Sequence, residues 1–185
     1  MKKIVDMTHR LLQDSLKDHM IAVDFTMGQG NDTLFFAQLS QVDHVYAYDI
    51  QQSAYESTLE KLQSEGVCDK CTLFLKGHQT MDEDIDGFDL GIFNFGYLPQ
   101  GEKTITTLLE TSRSAVFKAL ERLHIKGLLI LVIYPGHVQG QQESDFFLPW
   151  CKTLDAHYFN VLTIRLENHQ NAPYIIAIER IRKEI

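Results

Sequence analysis

The chain is short of cysteine, of long apolar runs and of basic charge, and each shortage excludes something. Three cysteines, Cys68, Cys71 and Cys151, are an odd number and fit a reducing compartment better than a disulfide framework. Cys68 and Cys71 form a CDKC pair, but a redox CxxC opens a helix, whereas the TLFL that follows here is strand-like. A zinc site needs four ligands and Cys151 is the only other thiol, so plain buried or half-buried cysteines and no metal are expected. The longest apolar run, LLILVI at 128–133, is far too short to span a bilayer, and MKKIVDMTHRLLQD has no apolar signal core; a cytoplasmic protein is the expectation. With 17 Lys and Arg against 25 Asp and Glu, the net charge of −8 argues against a broad electrostatic grip on nucleic acid and leaves room for a local one. Base gathers at Lys2, Lys3, His9 and Arg10, along Lys103, Arg113, Lys118, Arg122 and Lys126, and at Arg180, Arg182 and Lys183. Such clusters are either a local binding face or solvated helix faces and ends.

What is present is an ordinary globular balance, 44% apolar and 23% charged, without repeats or low-complexity tracts. One domain over residues 1–185 is the simplest reading, long enough to bury roughly 70% of the surface of the unfolded chain. Strand-like and helical runs alternate. IAVDF (21–25) precedes a helix at 33–40, and HVYAYD (44–49) precedes QQSAYESTLEKLQSEG, whose Ala54, Leu59 and Leu62 share a face and whose Gly66 is a natural stop. CTLFL (71–75) follows, then FDLGIFN (88–94) with a helix over 104–126, then LLILVIYP with a helix from about 140 to 154. This alternation predicts a parallel sheet with crossover helices on both faces. YFNVLTIRL (158–166) and PYIIAIERI (173–181) are separated only by ENHQNA, too short for a crossover helix, so they pair as a hairpin and one strand runs against the rest. Seven strands, mostly parallel with the last antiparallel, make an α/β, Rossmann-like sheet. It resembles the class I S-adenosylmethionine (SAM) methyltransferase fold and departs from the all-parallel sheet of a dinucleotide dehydrogenase. Within residues 1–20, Met7, Leu11, Leu12 and Leu16 predict an amphipathic helix that either caps the ligand crevice or only packs.

In such a sheet ligands sit at the carboxyl ends of the strands, where strand order reverses. VDFTMGQGND (23–32) falls there. Gly28 and Gly30 can take positive φ and let backbone approach a ligand, while Thr26, Gln29, Asn31 and Asp32 supply polar partners. A pyrophosphate fingerprint wants a third glycine where this chain has Thr33. Asp49, 21 residues after Gly28 at the end of the second strand, is placed to accept both hydroxyls of an adenosine ribose, with Gln51 beside it. NAD and SAM both use such an acid. Asp24 favours SAM, because an acid suits a sulfonium and an ammonium group and repels a pyrophosphate. His78, in GHQ after the third strand, falls where an adenine pocket is expected, or is an ordinary loop histidine.

IFNFGYLPQGEK (92–103) begins beside the expected methyl group. Asn94, Phe95, Gly96 and Tyr97 resemble the N-P-P-Y type motif of methyltransferases that act on amino nitrogens. An asparagine oxygen and the next carbonyl can accept N–H bonds from an amine and aim its lone pair at the methyl, while an aromatic ring packs on the attached base. Gly96, Tyr97 and Leu98 are therefore candidates for substrate contact, unless the turn serves only to start the next helix. Tyr134, Pro135 and His137, after the fifth strand, would face the same crevice. An alkyl amine with a pKa near ~10.4 is mostly protonated at pH 7, a handicap of roughly 4 to 5 kcal/mol. His137, with an ordinary pKa of about 6.5, is the best placed candidate to take that proton, or it caps the next helix.

The blocks VDFTMGQGNDTLFFAQL, VYAYDIQ, IFNFGYLPQGEKTITT, LVIYPGH and NAPYIIAIER together resemble the YtqB-like family of small class I methyltransferases, long labelled rRNA methylases. The resemblance runs from the first strand to the last, and GYLP and YPGH are its specific parts. It implies a SAM-dependent enzyme that methylates 5-aminomethyl-2-thiouridine at the tRNA wobble position, with the anticodon stem-loop as partner. A small-molecule amine methyltransferase, an rRNA methyltransferase and a silent SAM-binding module are the alternatives, and a homodimer is a guess without a sequence argument. The chain departs from the family pattern at Met27, Gln29 and Asn31 in the first loop, at Phe95, and at Gln100 and Glu102.

Overall fold

The structure, a computed structural model, describes residues 4–95, 108–169 and 171–182. Helix α1 (Ile4–Asp14) leads into β1 (Met20–Asp24), α2 (Asn31–Gln38), β2 (Val42–Asp49), α3 (Gln52–Ser64), β3 (Cys71–Leu75) and β4 (Phe88–Asn94). Then come α4 (Leu109–Arg122), β5 (Leu123–Ile133), α5 (Val138–Cys151), β6 (Phe159–Ile164) and β7 (Tyr174–Arg180). The sheet order is β3-β2-β1-β4-β5-β7-β6. β1 pairs in parallel with both β2 and β4, so the order reverses between β1 and β4. β7 runs antiparallel to β5 and to β6, as the short ENHQNA link requires. The expected seven-stranded Rossmann-like class I fold is what forms.

Alternation along the strands divides the core in two. Val23, Phe93, Leu129, Leu131, Ile176 and Ile178 face α4 and α5, where Ala115, Val116, Ala119 and Phe147 meet them. Ala22, Leu90, Ile130, Val132, Ile175 and Ala177 face the other helices through Leu12, Phe36 and Leu62. A period of two on strands buried on both sides produces this division. Phe25 stacks on Phe93 at 4.2 Å and Phe95 on Phe147 at 5.5 Å. Each buried ring contributes roughly 1.5 to 3 kcal/mol, so the ends of β1 and β4 are held on a rigid bed.

Gly66 ends α3 with φ 69°, as its position predicted. The helix expected over 104–126 stops at Arg122, and residues 104–107 lie outside the described part. Leu123 is 1% exposed and pairs with Phe88, which draws LHIK (123–126) out of the helix and into β5. Lys126, at φ 65°, lies in the stretch of β5 opposite the register shift between Phe88 and Leu90. Local helix propensity loses here to sheet pairing. Cys68 and Cys71 are half-buried and Cys151 is buried, and burial pushes the Cys71 thiol up to about 11. Among the described residues no helix is long and apolar enough to cross a membrane.

Candidate active site

A crevice of about 490 Å³ opens at the carboxyl ends of the strands, beside the β1/β4 reversal. Thr26, Gly28, Gln29, Asn31, Asp32, Asp49, Gln51, His78, Asn94, Tyr134 and His137, all expected at the site, line it. Gly28 takes φ 51° and its N–H donates to Asp49 Oδ2 at 2.9 Å, while the Gln51 N–H donates to Oδ1 at 2.9 Å. Two backbone donors hold that carboxyl at the mouth of β2, and each oxygen keeps a further lone pair for a ligand hydroxyl.

Asn94 is held from both ends. Its N–H donates to Thr26 Oγ1 at 2.7 Å, and its Nδ2 donates to Asp32 Oδ2 at 3.2 Å. An ionised carboxylate only accepts, so the amide nitrogen must face Asp32 and the amide oxygen is turned the other way. The Thr26 N–H in turn donates to Asp24 Oδ1 at 3.1 Å, and Thr33 Oγ1 to Asp24 Oδ2 at 2.7 Å.

Some expected residues stand back from the crevice. Asp24 is wholly buried and both its oxygens are taken by the loop. Burial, with Asp32 and Asp49 adding to it, pushes its carboxyl up to about 7. It organises Thr26 and Thr33, and the carboxyls that line the crevice are Asp32 and Asp49. Gly30, at φ 72°, borders the Thr58 side chain, which a Cβ would strike at 2.7 Å. Pro135 is buried and is not among the lining residues. Asn31 lines the crevice, but its Oδ1 accepts from Lys61 Nζ at 2.6 Å, so that oxygen serves the loop. Gly96, Tyr97 and Leu98 lie outside the described residues.

His137 is the N-cap of α5: its Nδ1 accepts from the Gly140 N–H at 3.1 Å. With that lone pair committed, the neutral ring carries its proton on Nε2, and taking an amine proton at Nδ1 means breaking the cap. The helix-capping alternative is therefore realised. Burial, then Asp32, raises the Tyr134 phenol, which stays a neutral donor. Sequence reasoning missed Val5 on α1, Leu108 and Thr111 at the start of α4, and Lys76 and Gln79 around β3, all of which line the crevice. Their only signal is position near a strand or helix end, which does not distinguish them from other loop residues.

One atom tests what the crevice accepts. His78 Nδ1 lies 2.8 Å from the Phe25 carbonyl oxygen, which can only accept, so Nδ1 carries the hydrogen. Nε2 is then an acceptor, buried and without a partner among the described residues, and burial lowers the ring's pKa and keeps it neutral. A ligand with an exocyclic amine and a ribose fits an orphaned acceptor beside an anchored carboxyl. Two acids at this mouth suit a cationic sulfonium and would repel a pyrophosphate. The crevice and the reversed β7 together define a SAM-dependent methyltransferase.

Residues 45–179 match the family model described as "Putative rRNA methylase", and the chain belongs to that family. It is 34% identical over 188 residues to the "tRNA (mnm(5)s(2)U34)-methyltransferase, chloroplastic" of Arabidopsis thaliana, covering 95% of this chain and 68% of that one. A "putative rRNA-methylase" from Clostridium thermocellum superposes with a TM-score of 0.92 at 36% identity, covering 98% of this chain and 99% of its own. A "putative methyltransferase" from Streptococcus mutans, solved in complex with SAH, gives a TM-score of 0.88 at 35% identity over 97% and 99% of the two chains.

Proposed function

We propose that this enzyme transfers the methyl group of SAM to the amino nitrogen of 5-aminomethyl-2-thiouridine at the wobble position of a tRNA, giving 5-methylaminomethyl-2-thiouridine. The observation that carries this reading is the Asn94 amide: with Nδ2 bound to Asp32, its oxygen is left to accept from an incoming amine at the end of β4. Nucleophilic nitrogen needs its lone pair aimed and nothing more from the protein than acceptors for its hydrogens. The name of the Arabidopsis relative supports the same acceptor. SAM supplies the electrophilic methyl. Asp49 would hold its ribose hydroxyls, His78 Nε2 would accept from its adenine amine, and the Gly28 turn would admit its backbone-like tail. Tyr134 and the stretch 96–98 would border the flipped uridine. Removal of the amine proton falls to water, since His137 is engaged in its cap.

A small-molecule amine methyltransferase is the second reading, favoured by the net charge of −8. Labelled SAM, the purified enzyme and tRNA from cells lacking it, followed by nucleoside analysis, separate the two. Label in 5-methylaminomethyl-2-thiouridine is expected. Intact SAM binding with no labelled nucleoside would reject the tRNA reading.

A further inference from the structure

His9 belongs to a basic cluster in the sequence, yet in the fold its imidazole is engaged on two sides. It projects from α1 and stacks on Phe35 with ring centroids 3.8 Å apart and planes 5° from parallel. Its Nε2 lies 2.6 Å from Asp32 Oδ1, with the two side chains only 24% and 8% exposed. The other oxygen of Asp32 accepts from Asn94 Nδ2 at 3.2 Å. We infer that His9 is a positioning residue that sets the orientation of the Asn94 amide by way of Asp32. The inference rests on the reading that Asn94 receives the acceptor amine.

The reasoning is one of donors and acceptors. A carboxylate with a separate donor on each oxygen cannot rotate without losing both bonds, and the Phe35 stack keeps the His9 ring in its plane. Take away the His9 N–H and, among the described residues, Asn94 is left as the one anchor of the Asp32 side chain, so carboxyl and amide are free to turn together. An Asn94 amide that turns with the carboxyl carries its oxygen off the line of the incoming amine, whose lone pair is then no longer aimed at the methyl. The link also ties the site to the seating of α1, whose Val5 lines the crevice and whose Leu12 is in the core. Docking of a helix that precedes the whole sheet thereby completes the amide on β4.

The test compares His9→Phe, which keeps an aromatic ring on Phe35 and removes the N–H, with His9→Gln, whose amide restores a donor to Asp32. In His9→Phe, kcat for tRNA methylation should fall by about 10²-fold while SAM Kd and tRNA KM stay within about twofold, and His9→Gln should recover most of the loss. A second readout needs no substrate: hydrogen exchange of the Asn94 side-chain amide by NMR, assigned through Asn94→Ala. Exchange should be protected in the wild type and His9→Gln and fast in His9→Phe. Wild-type turnover in His9→Phe, or unaltered Asn94 exchange, overturns the inference. If the wild type methylates no tRNA but Asn94 loses protection in His9→Phe, the substrate reading fails and the positioning role stands.

Discussion

Asp24 carries a carboxyl that the fold keeps from water, and its chemistry makes it a liability above acid pH. Its pKa rises from 3.8 to about 7 chiefly through burial. A carboxyl whose folded pKa is raised binds a proton on folding, so its contribution is fully favourable below about 3.8 and is lost as pH climbs through about 7. The displacement corresponds to at most about 4 kcal/mol. Asp24→Asn, which can still bond Thr33 and Thr26, should therefore stabilise the protein, with a gain that grows from pH 4 to 7 and then levels off. Denaturant midpoints measured across that range would check it; a gain independent of pH would contradict it. Asp49 is the opposite case, held at the crevice mouth with lone pairs to spare. Hydrogen bonds to a charged group are worth about 1.5 to 3 kcal/mol each, so Asp49→Ala should weaken SAM binding by about 10²-fold or more. Calorimetry showing ordinary affinity would remove Asp49 from the cofactor site. Asp49 and Asn94 were legible in the sequence because each ends a strand-like run. The withdrawal of Asp24 was not, since only packing shows that Thr26 and Thr33 take both its oxygens.

At the scale of elements, the start of α5 is the tightest junction around the site. His137 caps it, and a Cβ at Gly140 would collide with the Tyr134 carbonyl oxygen, so this turn requires the glycine and a capping side chain at 137. Asparagine is also a good N-cap. His137→Asn should keep stability within about 0.5 kcal/mol and leave the pH profile of methylation unchanged, whereas His137→Ala should cost about 1 kcal/mol. Activity in His137→Asn that recovered only at high pH would return the base role to His137. The same junction shows why spacing alone left two roles open for this histidine. A cap and a base ask for the same residue at the same place, and they differ in where one lone pair points. The end of α4 differs from expectation for a related reason: nothing in LHIK (123–126) forbids helix, and pairing of Leu123 with Phe88 makes it strand.

Over the whole molecule, much of the basic charge that suggested a nucleic-acid face is, among the described residues, spent on structure, while Lys2, Lys3, Lys103 and Lys183 lie outside the described part. Lys118 binds Asp82 and the Gln79 carbonyl, Arg122 reaches the Ile85 carbonyl, and Arg180 takes the carbonyls of Leu120, Glu121 and Leu123 at the end of α4. Arg113 lies over the Phe146 ring at 5.6 Å. RNA binding by this acidic enzyme should then depend little on phosphate contacts. The slope of log affinity against log salt should be shallower than about 3, and a much steeper slope would reveal a basic face elsewhere in the chain.

The sheet, its reversed last strand and the placement of a glycine turn, an acid and an amide at the ends of β1, β2 and β4 were legible in the sequence, because strand periodicity, link length and turn chemistry are local properties. Tertiary structure alone decided which polar groups face the crevice and which are consumed beneath it. Asp24, Asn31 and His137 look available in the sequence and are bonded in the fold, while His9 looks like surface charge and stands against Asp32. Hydrogen-bond partners that lie 23 or 62 residues apart, as His9 and Asn94 do from Asp32, leave no periodic trace.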